Sequence, residues 1–409
     1  MSSDIAAFRW LRAPWAFALV VVVSYGLFTV PILARHGFDV SAFIVAGDQF
    51  VQSADLASPI IVKPHSAGYD GQFYYRLSVA PFQLQQPSHG VLLDVPAWRM
   101  QRIFYPMLCW VAALGNAALV PAAMFAINLL GLAAIAVLSL HVAARLSLPA
   151  LTPLAVMLWP GFVVALTHDT TEIVSAALLL GALAAYLADR LVLYALLGAL
   201  ATLTRETGIL MLGGILCLEL IRAVGARGQW RRAHRALICL LALIPFLAWR
   251  EILHFLWSQS PQEAGAGHNI GWPMLGAATM LLDTLSGARH YSPRHGLNIA
   301  LRAYAFGTAA WLLVWCAITA SRAGAVLRLK QAAAVAAGWL PVLALMSVLS
   351  AGGPWIDPTA YFRAFTECYV IGCLLPTPRL PPNAGWHIML AGGAAAWLGA
   401  WFLAALQVG

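Results

Sequence analysis

Apolar runs about as long as a bilayer is thick recur along the chain, and they decide the fold class before any motif is read. A helix needs ~20 mostly apolar residues to cross a hydrocarbon core of ~30 Å, and the stretches from Trp15 to Ala34 and from Ala122 to Ala143 are continuous examples. A membrane β-barrel would instead alternate polar and apolar residues in segments of ~10, and only a helix satisfies every backbone group within one unbroken apolar segment. Composition agrees: of 409 residues 61% are hydrophobic and 10% charged, with a mean hydropathy of +0.79, whereas soluble domains carry ~25% charged residues. The expected fold class is an all-α polytopic membrane protein with about eleven transmembrane helices. Two of the expected spans are 149–167 and 361–377.

Charge sets the orientation expected of these spans. Arg9 and Arg12 precede the first run, which reads as a retained signal anchor with a cytoplasmic N-terminus. Alternation from there puts Arg145, Arg190, the cluster from Arg222 to Arg235, Arg322, Arg328, Lys330 and Arg379 on the cytoplasmic side, as the positive-inside rule requires. Acidic residues contribute little to that rule, so they test the scheme independently: of the 16 carboxylates only Asp4, Asp189 and Glu219 fall inside. The net charge of +8 therefore reads as a topology signal facing membrane lipid, and not as a nucleic-acid surface. The 6 cysteines lie in or beside apolar runs and read as packing residues without a disulfide framework.

Chemistry is expected outside. Two outer loops are long, 36–118 and 258–296, and they divide the chain into modules 1–225 and 226–409. Loops of that length are usually functional or disordered, and the first is too rich in aromatic residues for disorder. Within it the stretch from Arg102 to Gly115 reads as an interfacial helix.

Three segments carry candidate site residues. In the first, Tyr69-Asp70-Gly71-Gln72-Phe73-Tyr74, a carboxylate stands at a glycine-flanked turn before an aromatic helix. Asp70 is then either an N-cap or a base whose basicity is raised by its surroundings. In the second, His168-Asp169-Thr170-Thr171-Glu172, the two carboxylates are three apart and share a helix face with His168, unless Asp169 merely caps. The third, Arg205-Glu206-Thr207, breaks an apolar stretch, where charged residues are functional or paired with each other. Arg205, Arg102 and Arg363 are suited to grip a phosphate bidentately, or else to anchor at the interface by snorkelling. The outer carboxylates could hold a divalent cation. His268, His290 and His295 show no zinc-ligand spacing, and no nucleotide-binding motif is present.

Taken in order, Tyr69 to Tyr75, Arg102-Ile103-Phe104-Tyr105-Pro106, Asp169 to Glu172 and Arg205-Glu206-Thr207 resemble the multispanning GT-C-fold glycosyltransferases, specifically bacterial cell-surface glycopolymer members. The likeness covers 1–225 and is weaker beyond, where Tyr361 to Phe365 is similar to the family's late arginine segment. It implies a sugar transferase of the bacterial inner membrane that works on the periplasmic side. It implies as partners a polyprenyl-phosphate sugar donor and a cell-envelope acceptor. Asp70 takes the catalytic role by this resemblance, Asp169 the accompanying one, with Glu172 beside it. Tyr69, Gln72, Tyr74, Arg102, His168, Arg205, Glu206 and Arg363 are implied to bind substrate. The chain departs from the pattern at Gly71, where many relatives carry a second acidic residue, and in an insertion containing Asp39 and Asp48. A carrier or flippase of a lipid-linked glycan is the alternative function, and a membrane scaffold a third.

Overall fold

A computed structural model of the protein describes residues 13–225, 230–258, 260–261, 269–329, 332–375 and 384–408. The expectations placed on Asp4, Arg9, Arg12, Arg227, His268, Lys330 and Arg379 lie outside the described residues. The fold is almost wholly helical. α1 (Pro14–Ala34) leads into the first long loop, where a two-residue parallel ladder pairs β1 (Ala46–Gly47) with β2 (Val62–Lys63). That loop also holds α2 (Gly71–Val79), α3 (Pro96–Met100) and α4 (Phe104–Ala112), so the interfacial helix expected near Arg102 begins two residues later.

The rest of the chain is helix after helix: α5 (Val120–Arg145), α6 (Thr152–Met157), α7 (Pro160–Thr167), α8 (Glu172–Leu187), α9 (Leu191–Thr204) and α10 (Gly208–Val224). Then come α11 (Trp230–Leu241), α12 (Ile244–Trp257), α13 (Leu275–Ser286), α14 (His295–Val326), α15 (Ala333–Ser347), α16 (Pro358–Ala364), α17 (Thr366–Cys373) and α18 (Ala384–Val408). Among the described residues 5 stretches are long and apolar enough to cross a membrane: Pro14–Ala34, Ala117–Arg145, Trp230–Trp257, His295–Val326 and Met389–Val408. Shorter apolar helices, α8, α9, α13 and α15 among them, complete the bundle.

α1 shows why such sequences settle in lipid. Its buried residues Phe17, Val21, Tyr25 and Thr29 recur every four positions and form one packed face, while Leu19, Val23 and Leu27 remain exposed. Both faces are apolar, which suits a helix with protein on one side and hydrocarbon on the other.

The expected spans 149–167 and 361–377 are each split into two short helices. The first breaks at Pro160, whose missing N–H ends α6's ladder and starts α7. The second breaks at Phe365, between α16 and α17. An aromatic core seals these breaks: Trp159 stacks on Tyr369 at 4.3 Å between ring centroids, and its indole N–H donates to Thr366 at 3.0 Å. Tyr25 donates to the Met157 carbonyl at 2.7 Å and accepts from Trp397 at 2.9 Å, tying α1 and α18 to the same place. Gly161 makes the approach of α7 and α16 feasible, since a Cβ there would lie 2.5 Å from the Phe362 carbonyl oxygen.

Two networks of charged side chains stand out among the described residues. One joins Tyr186, Asp189, Glu219, Arg222 and Arg235, with Glu219 bound to Arg222 at 2.8 Å and to Arg235 at 3.2 Å. The other gathers at the opposite ends of α8 and α10. Glu172 and Asp189 mark the two layers on α8 and its flank, and their spacing in sequence corresponds to ~25 Å of helix.

Candidate active site

The second layer is built from four parts of the chain that the fold brings to one end of the bundle. The first loop supplies Asp70, at the start of α2, with Arg99 on α3 and Arg102 just after it. The α7–α8 junction supplies His168, Asp169 and Glu172. The α9–α10 turn supplies Arg205 and Glu206, and the α16–α17 pair supplies Arg363 and Glu367.

Asp70 is the hub. One carboxylate oxygen lies 2.9 Å from Arg99 Nη1, and the other accepts from Arg363 Nη2 at 2.8 Å. It makes no capping hydrogen bond to α2, so the capping alternative is set aside. Burial alone would raise its pKa, but the guanidinium charges of Arg99, Arg363 and Arg102 prevail and hold it well below the usual carboxylate range. Arg363 is shared: its Nε donates to Glu172 at 3.0 Å, and its guanidinium lies 5.0 Å from the Tyr69 ring. Arg99 is also bidentate to Asp94, at 2.8 and 2.7 Å, and stands over Phe73.

The network continues through Glu172. Arg205 Nε lies 3.8 Å from Glu172, and Arg205 Nη1 pairs with Glu367, which also accepts from Ser175 at 3.2 Å. Glu206 turns the other way and receives Arg102 bidentately, at 2.8 and 2.6 Å. Of the two alternatives for Arg205 and Glu206, pairing with each other is the one the contacts do not show: each side chain reaches a different element. Arg102 also donates to the Tyr74 hydroxyl at 2.7 Å.

Three residues of the sequence reading stand apart from the charge network. Gln72 is spent on the loop, accepting from Gly47 N at 3.0 Å and donating to the Ala67 carbonyl at 2.8 Å. His168 packs on Tyr69 at 4.5 Å, and burial, reinforced by the charge of Arg363, pushes its pKa down to about 4. Asp169 is fully buried in a left-handed backbone conformation (φ +46°), and neither carboxylate oxygen has a hydrogen-bond partner among the described residues. Burial without a cationic partner pushes its pKa well above the usual carboxylate range, and it does not cap α8. Asp48 shares none of this chemistry. Its carboxylate accepts from the backbone N–H groups of His65 and Ser66 at 2.8 and 3.0 Å, which lowers its pKa and shapes the β1–β2 loop.

No protein-family model and no curated protein matches the chain. Among solved structures it is similar to ArnT from Cupriavidus metallidurans. The apo crystal structure shares 16% identity with a TM-score of 0.47, covering 89% of this chain and 62% of that one. The crystal structure bound to undecaprenyl phosphate shares 14% identity with a TM-score of 0.48, covering 93% and 76%. The chain thus spans less than two thirds of the length of the apo ArnT chain.

Two members of the network escape a reading by motif, Arg99 and Glu367. Arg99 sits in a polar loop where one arginine looks like any other. Glu367 had a signal, being a carboxylate inside the apolar run 361–377, where an ionised group is expensive unless paired. The donor set does not suit a divalent cation. Asp70, Glu172, Glu206 and Glu367 are each matched to an arginine, and among the described residues no three His, Cys, Asp or Glu side chains group as metal ligands.

Proposed function

We propose that this protein is a GT-C-type membrane glycosyltransferase that moves one sugar, with inversion, from a polyprenyl-phosphate donor to a cell-envelope acceptor at the periplasmic face of the bacterial inner membrane. The observation that carries the reading is Asp70 held between Arg99 and Arg363, with Arg205 joined to Arg363 through their shared partner Glu172. A phosphate ester is a better partner for planar guanidinium groups than a single carboxylate is, since it offers several charged oxygens in a bidentate geometry. When the donor phosphate takes Arg363 and Arg99, Asp70 is released from the charges that hold its pKa down. Its basicity then rises as the substrate arrives.

The freed carboxylate takes the proton of the acceptor hydroxyl. The hydroxyl oxygen bonds to the anomeric carbon while the bond from that carbon to the phosphate oxygen breaks on the opposite face. The electron pair leaves with the polyprenyl phosphate, whose charge the arginines hold, so the leaving group needs no proton. Glu172 and Glu367 keep Arg363 and Arg205 in place between turnovers. Asp169, buried and without an arginine partner, takes no step in this scheme.

One observation favours a second reading, carriage of a lipid-linked glycan. Broken helices that meet at a polar site are the architecture of secondary transporters, and both α6–α7 and α16–α17 lead to this one. The two readings separate in detergent, where no compartments exist. Purified protein given a radiolabelled polyprenyl-phosphate sugar and a mixed envelope-glycolipid acceptor fraction should release polyprenyl phosphate and label the acceptor. Donor that binds but stays intact under these conditions would support the carrier instead.

A further inference from the structure

A cleft of 670 Å³ opens at the same end of the bundle, beside the charge network but outside it. Its polar side is the segment before α14, with His290 and Arg294, faced by Asp357 and Thr359 at the start of α16. Its other wall is apolar and comes from two of the long spanning stretches, Leu297 and Leu301 on α14 and Leu403 and Leu406 on α18.

Three features identify what fits. The first is charge. The lining sets two arginines, Arg289 and Arg294, against one carboxylate, Asp357, whose Oδ1 accepts from the Thr359 hydroxyl at 2.5 Å and from Ala360 N at 2.9 Å. The guanidinium of Arg294 has no partner among the described residues. Arg289 donates to the carbonyls of Trp355 and Ile356, each at 2.6 Å, which orders the rim, and its Nε lies 3.5 Å from Asp283.

The second feature is the path leading out. Leu406, Phe402 and Leu398 recur every four residues along α18 and are 43%, 54% and 55% exposed. They form one apolar track running from the cleft down the outer surface of a spanning helix. The third is position. Thr359 lines the cleft and Arg363 lies one helical turn further along α16, ~6 Å in rise. Gln407, also in the lining, is held through its carbonyl by Lys63 of the first loop.

We infer that this cleft binds an amphiphile with an anionic head group, its head against Arg294 and His290 and its chain along Leu406, Phe402 and Leu398. Its role as the seat of the acceptor rests on the transferase reading above, and narrows the acceptor to a lipid-anchored, phosphate- or carboxylate-bearing glycan. An acceptor held there presents its hydroxyl one turn of α16 from the arginine that grips the donor phosphate.

The test uses the full-length protein in neutral detergent with dodecyl phosphate carrying a photoreactive diazirine on its chain, and peptide mapping of the label. Label should concentrate on 289–301 and 398–407, and Arg294→Glu should reduce it by tenfold or more. Excess inorganic phosphate should displace it only weakly, and an uncharged dodecyl glucoside with the same diazirine should label these peptides far less. Asp70→Asn, which should stop sugar transfer, should label as the wild type does, so the cleft can stand or fall apart from the transferase reading. Label confined to 69–105, label indifferent to Arg294→Glu, equal labelling by the glucoside, or full displacement by inorganic phosphate would each overturn the proposal.

Discussion

At the scale of single residues, the site turns on a carboxylate whose partners decide what it can do. Asp70 was legible in the sequence because an acid beside glycine and before an aromatic helix is unusual. Its two arginines were not, since Arg99 and Arg363 lie 29 and 293 positions away and only folding brings them to it. The depressed pKa in the free protein leads to a kinetic signature. The pH profile of kcat/KM, which reports the free enzyme, should stay flat on the acid side to below pH ~4, the ordinary Asp value. The profile of kcat should show its acid limb at higher pH, because bound phosphate has taken the arginines. Coincident limbs would argue against the exchange of partners. His168 supplies a stability prediction of known sign. Its pKa is near 4 in the fold, below the ~6.5 of an unfolded chain, so the unfolded state binds more protons between those values. Thermal stability should therefore fall as pH drops from 7 towards 4, and His168→Asn should flatten that slope.

At the scale of elements, the site exists because short helices and turns approach closely where the sequence gives little hint. Gly71 stands where related sequences are expected to carry an acid, and the structure supplies a reason: a Cβ there would lie 2.4 Å from the His168 carbonyl oxygen and 2.6 Å from that of Ile44. The start of α2 is thereby pressed onto the α7–α8 junction, which sets Asp70 beside Glu172 and its arginine. Gly71→Ala should force these elements apart, lower stability by about 1–3 kcal/mol and cost activity out of proportion to its size, as thermal unfolding and turnover would show. Glu367→Ala should be worse, at about 3–5 kcal/mol, because it leaves Arg205 buried with only the longer contact to Glu172. The helical fold class could be read from apolar run lengths alone. The breaks in 149–167 and 361–377 could not, because hydropathy is blind to a proline or a bend that keeps a segment apolar.

At the scale of the whole molecule, two charged layers at opposite ends of α8 and α10 suit a chain that crosses a bilayer between them. The acidic residues assigned inside by charge alone, Asp189 and Glu219, share the layer with Arg222 and Arg235. The layer containing Asp70 should face outward: Gln85→Cys and Ala288→Cys should react with an impermeant maleimide in intact spheroplasts, and Leu329→Cys only after permeabilisation. The reverse pattern would move the proposed chemistry to the cytoplasm. The account as a whole rests on Asp70 acting as a base among arginines, and single-turnover donor cleavage tests this most directly. In Asp70→Asn, the rate of polyprenyl-phosphate release at saturating donor and acceptor should fall by roughly 10²–10⁴-fold, while donor binding measured on the same preparation is kept. A variant that binds donor and cleaves it at close to the wild-type rate would contradict the account.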